Sequence, residues 1–310
     1  MVRRAGPREL REARTLGSMP SIEGHVTAAD GTRLLTRHWP ADEVEAGGAW
    51  AGRPWAHVLI VHGLGEHSGR YEHVGDQMAA AGLEVHAYDH RGMGASGGRT
   101  GHVERWSQLH DDLGERLASV RAAAGDRPVV LYGHSLGGLI VAGYCLAEPP
   151  RPPPDLVVLS SPSLDDNLAA WKHALASLLG RIAPTLDIPN GIPPDAISRD
   201  PTVAAKTVDD PRCRKTSTAR LGAEGFREQA RVRRLAAGGL GVPTLVLHGL
   251  DDGLVPHVAT EVFAGAPRTE RRTFPGLRHE LHNEPEGLQV VDEIIVWLRE
   301  QIRERGRLTP

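Results

Sequence analysis

Residues 127–147, RPVVLYGHSLGGLIVAGYCLA, decide the fold. Val129 to Tyr132 run apolar without alternation, as suits a strand covered on both faces. From Leu136 the chain continues apolar and rich in small residues, which reads as a helix. Between the two lies Gly133-His134-Ser135-Leu136-Gly137. A residue at the centre of so sharp a strand-to-helix turn is held in a strained backbone, and flanking glycines remove the Cβ atoms that would strike the neighbouring strand and helix. Ser135 is therefore read as a nucleophile, with Gly138 letting the helix pack closely. A second G-x-S-x-G centres on Ser96 in DHRGMGASGG, residues 89–98. No helix opens at the residue after it, so Ser96 reads as a loop turn.

A serine hydroxyl attacks poorly unless a base takes its proton and a third group holds that base in the right tautomer. In this strand-turn-helix context the acid and then the base follow in chain order, each in a loop after a strand. The apolar run PTLVLHG ends in LDDGLVP, which offers Asp251 and Asp252. The run TERRTF ends in PGLRHELHNEP, which offers His279 and His282. Residue type and order alone leave both pairs open.

Working outward, residues 24–41 alternate around Asp30-Gly31, a hairpin signal. Apolar runs AHVLIVHG, LEVHAYDH, RPVVLYGHS and PDLVVLSSP then alternate with helical segments at 71–82, 104–124 and 136–147, the rhythm of a mostly parallel sheet with flanking helices. Between 163 and 238 no strand-like run is visible, and that stretch reads as an inserted helical cap. The core is thus assigned to 21–162 and 239–310, closing with a helix in GLQVVDEIIVWLREQIRER. Residues 1–20, basic and punctuated by Gly and Pro, read as a disordered arm. In the cap, Leu168, Trp171, Leu175, Leu178, Leu179 and Ile182 share one side at helical spacing. Packing onto the core or lining an acyl tunnel is the favoured reading, and transient docking on micelles or membranes the alternative.

A net charge of -3, pI near 6.6 and 4% aromatic residues give no field for nucleic acid. The two cysteines, Cys145 and Cys213, form no C-x-x-C pair and read as free thiols of a reducing compartment. No apolar stretch approaches a membrane span and no signal-peptide core is present, so a cytoplasmic location is expected. His62, His67 and His73 lie close in sequence, but H-E-L-H is not the H-E-x-x-H of a zinc site, and no metal is expected.

HGLGEHSGRY, DHRGMGASGGRTGHV, GHSLGG, ISRDPTV and LHGLDDGLVP stand in this order from residue 62 to 256. With them the chain resembles, from about 22 to 305, the monoacylglycerol lipase and lysophospholipase-like branch of the α/β-hydrolase fold. The resemblance implies Asp252 as acid and His279 as base. Oxyanion donors would be the backbone N–H of Leu136, the residue after the serine, and, by the resemblance, that of Leu64, with His62 and Gly63 shaping its turn. It implies a polar, glycerol-side pocket of Glu66, Arg70, His134 and His282. At one cap position where the family often has an aromatic residue, this chain has Thr207. The implied reaction is hydrolysis of a small lipid ester, monoacylglycerol to fatty acid and glycerol through an acyl-enzyme, without a cofactor. A lysophospholipase or general carboxylesterase is the alternative within the class, and a non-catalytic binding protein of the same fold the alternative outside it. Oligomeric state is left open.

Overall fold

Ile22–Thr27 (β1) and Arg33–Trp39 (β2) form the antiparallel hairpin expected at Asp30-Gly31, with Gly31 turning at φ +87°. The computed structural model describes residues 21–42, 53–165, 168–304 and 306. The arm read from residues 1–20 and the start of the loop GGAWAGRP lie outside them. The apolar runs become Ala56–Val61 (β3), Leu83–Tyr88 (β4), Val129–His134 (β5), Leu156–Ser160 (β6) and Thr244–Gly249 (β9), and the polar run TERRTF becomes the edge strand Thr269–Phe274 (β10). These strands make one eight-stranded sheet in the order β1-β2-β4-β3-β5-β6-β9-β10. β2 pairs antiparallel with β4, and every pairing from β4 to β10 is parallel.

Unbroken apolar runs follow from cover on both faces. Val130 and Tyr132 of β5 pack with Val58 and Val85 under helices Glu72–Ala80 (α1) and Gly287–Glu304 (α8), which contribute Val74, Met78, Val291 and Leu298. Val129 and Leu131 point the other way, joining Leu59 and Val157 beneath Ser107–Ala124 (α2) and Leu136–Cys145 (α3), with Leu113 and Ile140. Each such side chain, fully buried, contributes about 1.5–3 kcal/mol.

The insertion after β6 carries Ala170–Ile182 (α4), Pro194–Ile197 (α5), Pro201–Asp209 (α6) and Ala219–Leu235 (α7). Asp200 caps α6 by accepting the Thr202 N–H at 2.8 Å, with Pro201 in the first turn. Two expectations are corrected here. The insertion does contain strands: Asp187–Pro189 (β7) and Thr216–Thr218 (β8) pair antiparallel, each too short to leave a period in the sequence. Nor does the apolar stripe of α4 pack onto the core. Leu168, Leu175 and Leu178 are exposed, Trp171 is 64% and Ile182 69% exposed, and only Leu179 is half-buried. The packing face is instead the one with Gly180 against Ala223 and the His173 ring stacked 4.5 Å from Phe226 of α7. α7 in turn sends Leu221 and Val232 into the core beneath α3.

Candidate active site

β5 delivers Ser135 into the turn, where it holds φ +52°, ψ -117°, a left-handed backbone that costs a non-glycine residue on the order of 1–3 kcal/mol. The glycines around it are required by contact. A Cβ on Gly137 would lie 1.9 Å from the Val61 carbonyl oxygen, one on Gly133 2.7 Å from that of Gly137, and one on Gly138 2.8 Å from Pro162.

Beyond β9 and β10, two loops converge on this serine. His279 Nδ1 lies 2.7 Å from Asp252 Oδ2, and its Nε2 lies 2.9 Å from Ser135 Oγ. A carboxylate only accepts, so Nδ1 carries the proton and donates it, and Nε2 is left to accept from the serine hydroxyl. Asp252 is held by three more bonds: Oδ1 accepts the N–H groups of Leu254 and Val255, both at 2.9 Å, and Oδ2 accepts from His248 Nε2 at 3.0 Å. Burial would raise its pKa, but the His279 charge and these donors hold it well below the usual carboxylate range. Burial alone would lower the His279 pKa, and Asp252 reverses that and raises it. The alternatives separate on geometry. Asp251 is exposed, and its backbone N–H donates to Leu277 O at 3.0 Å. Ser96 Oγ donates to Asp89 O and accepts the Leu35 N–H, tying a loop to β2.

Leu64 sits between Gly63 and Gly65 in the loop after β3, and Leu136 opens α3, so its N–H belongs to a helix N-terminus. The Leu64 loop is braced from several sides. His62 donates from Nδ1 to Gly63 O at 2.8 Å and accepts the His90 N–H at Nε2 at 2.9 Å, and His90 Nε2 donates back to His62 O. Glu66 Oε1 accepts the Gly63 N–H at 2.5 Å and the Tyr71 hydroxyl at 2.7 Å. From the cap, Arg214 N–H donates to Gly65 O at 2.6 Å.

Arg70 joins three segments. Its Nη1 donates to Glu66 Oε2 and Glu280 Oε1, both at 2.7 Å, and its Nη2 donates to Glu280 Oε2 at 2.7 Å and Thr207 Oγ1 at 3.0 Å. All four terminal N–H groups are thereby engaged within the protein. His134 donates from Nδ1 to Ser160 O at 3.1 Å, and its ring stands 4.9 Å from both His279 and His282. His282 is buried and stacked on Tyr71 at 4.8 Å, with no hydrogen-bond partner at either ring nitrogen among the described residues. Sequence reasoning missed Glu280 and His248. Glu280 reads as a mere spacer inside H-E-L-H, and His248 as the polar end of a buried strand; an acid beside the base and an imidazole four residues before the acid were the available signals. Cys145 and Cys213 are free, as expected, and burial pushes both thiols up to about 12.

A mostly parallel eight-stranded sheet with a strand-serine-helix turn is the architecture of the α/β hydrolases, and the chain is an ester hydrolase of that fold. More narrowly, it belongs to the family described as Serine aminopeptidase, S33, which matches residues 52–286. Monoacylglycerol lipase of Mycolicibacterium smegmatis is 35% identical over 249 residues, 78% of this chain and 87% of that one. Monoglyceride lipase of Homo sapiens is 30% identical over 313 residues, 98% of this chain and 99% of that one. The crystal structure of Paleococcus ferrophilus monoacylglycerol lipase superposes with a TM-score of 0.73 at 30% identity, covering 86% of this chain and 99% of that one. Among the described residues, no helix is long and apolar enough to cross a membrane.

Proposed function

We propose that the protein hydrolyses monoacylglycerol to fatty acid and glycerol, with Ser135 as nucleophile, His279 as base and Asp252 as its orienting acid. The observation that carries this reading is the hydrogen-bonded line from Ser135 Oγ through His279 to Asp252. In the first half-reaction the serine proton passes to His279 Nε2 as Oγ bonds to the ester carbon. The N–H groups of Leu64 and Leu136 stabilise the resulting oxyanion, each such donor contributing about 3–4 kcal/mol. The imidazolium then gives its proton to the glycerol oxygen as the C–O bond breaks. Water repeats the sequence on the acyl-enzyme and releases the fatty acid.

The polar end of the pocket takes the glycerol. His282 suits this role because neither ring nitrogen has a hydrogen-bond partner among the described residues, and both can meet hydroxyl groups. His134 keeps the lone pair of Nε2 once Nδ1 donates to Ser160. Glu66 and Arg70 act by fixing the Leu64 loop and the wall of the pocket. The outward stripe of α4 supports transient docking on micelles or membrane surfaces that hold the substrate.

The test compares a medium-chain monoacylglycerol with the matching lysophosphatidylcholine and p-nitrophenyl ester, using wild type and Ser135→Ala. Preference for the monoacylglycerol, abolished in the variant, is the expected result. Preference for the lysophospholipid replaces the substrate and keeps the nucleophile. Turnover that survives Ser135→Ala, or no turnover of any ester by wild type, overturns the catalytic assignment.

A further inference from the structure

We propose that His38, Glu84 and His86, with His57 beside them, bind a divalent transition-metal ion of the zinc type at the end of the sheet remote from Ser135. The register of the sheet assembles the donors. His38 of β2 lies opposite His86 of β4, and His57 of β3 lies opposite Glu84 of β4. Glu84 and His86, two residues apart on one strand, point to the same face as their register partners. The His38 and His86 rings stack 4.9 Å apart and the His57 and His86 rings 5.6 Å apart. One donor atom from each of His38, Glu84 and His86 lies within 4.8 Å of the others, and His57 Nδ1 is 3.3 Å from His86 Nε2. Together they line a cavity of about 370 Å³. β3, β4 and β5 run parallel, and Ser135 follows the last residue of β5, whereas His57 and Glu84 are the second residues of their strands.

Two or three imidazoles and one carboxylate are a donor set that zinc and its neighbours favour. Bonds of about 2.0–2.2 Å need donors roughly 3.3–3.5 Å apart. His38, with 34% of its side chain exposed, has room to rotate and close that gap. Glu84 accepts hydrogen bonds from His38 Nε2 and the Ala41 N–H. A metal would take the place of the His38 proton that now bridges to Glu84. Arg53 and Arg127 line the same cavity and oppose a cation, which makes the Glu84 charge essential to binding.

A second cluster, His67, Asp210 and Cys213, also brings three donors within 4.8 Å. There His67 Nδ1 accepts the Gly69 N–H at 3.1 Å, so Nε2 carries the proton given to Asp210 at 2.8 Å. A metal on Nε2 would turn Nδ1 into a second donor facing Gly69. That cluster is a clasp between core and cap.

Tag-free, full-length protein stripped with a chelator and titrated with Co²⁺ alone tests the proposal by visible absorption, with Zn²⁺ calorimetry alongside. One equivalent should bind with ligand-field bands and no thiolate charge-transfer band. Binding should weaken by about tenfold or more in His86→Gln, Glu84→Gln and the exposed-edge variant His38→Gln, and be unchanged in Cys213→Ser. Circular dichroism identifies which variants remain folded. Absence of Co²⁺ binding to wild type overturns the proposal. So does unchanged affinity in a folded His38→Gln or Glu84→Gln protein, or a thiolate band that Cys213→Ser removes.

Discussion

Acidification from pH 7 to pH 5 should remove a large part of the protein's stability, because the fold buries imidazoles that the unfolded chain would protonate. His62, His90, His110, His134 and His282 are all buried. Burial pushes His62 and His134 down to about 4 and His110 to about 3, and holds His90 and His282 well below the ordinary histidine value. In the unfolded chain each would titrate near 6.5. Below that pH the unfolded state binds protons that the folded state refuses. Stability is therefore complete above about 6.5 and is lost as pH falls toward the folded values. At pH 5 each group stands about 1.5 units below its unfolded pKa, a loss of about 2 kcal/mol. Five such groups give about 10 kcal/mol as an upper bound, and local relaxation and water entry reduce this to on the order of 5 kcal/mol. His279, raised by Asp252, acts with the opposite sign and offsets a part. Against a total stability of about 5–15 kcal/mol, the change is large. Urea unfolding followed by far-ultraviolet circular dichroism at the two pH values measures it directly. His282→Phe, which keeps a ring against Tyr71, should reduce the slope by up to about 1.4 kcal/mol per pH unit. A loss below about 1 kcal/mol in wild type would refute the reasoning.

Three further outcomes are expected. Ser135→Gly and Ser135→Ala should both be inactive, with the glycine variant more stable by about 1 kcal/mol in urea unfolding, because only glycine accepts φ +52° without strain. Arg70→Met should cost about 3–5 kcal/mol, since it leaves Glu66 and Glu280 buried without their shared cation. Glu280→Gln, which keeps the Arg70–Glu66 pair, should cost about 1.5–3 kcal/mol, and equal losses in urea titrations would contradict the shared guanidinium. Activity should rise with pH through the His279 pKa, because only the neutral ring can accept the Ser135 proton, and Asp252 sets that limb above the ordinary histidine value. Asp252→Asn should move the limb down and lower kcat by about four orders of magnitude in a pH-rate profile.

By itself the sequence determined the elements and the turn. The central strands β5, β6 and β9 are near-continuous apolar runs, the hairpin has its Asp30-Gly31, and the glycines at 133, 137 and 138 are demanded by contacts within a few residues of Ser135 or with the adjacent strand. These are local consequences of period and backbone freedom, so a one-dimensional pattern carries them. Residue type and order left neighbours open, the family resemblance implied Asp252 and His279, and only the tertiary structure gives the physical reason. Asp252 rather than Asp251 meets His279, and His279 rather than His282 meets Ser135, because two loops separated by whole strands converge across 144 residues. The partnership of Arg70 with Glu280 spans 210 residues and leaves no spacing to read. The outward stripe of α4 and the cluster of His38, Glu84 and His86 have the same origin. A helix's apolar period does not state which face finds a partner, and strand register, set by the whole sheet, is what brings His38 of β2 onto the same face as Glu84 and His86 of β4.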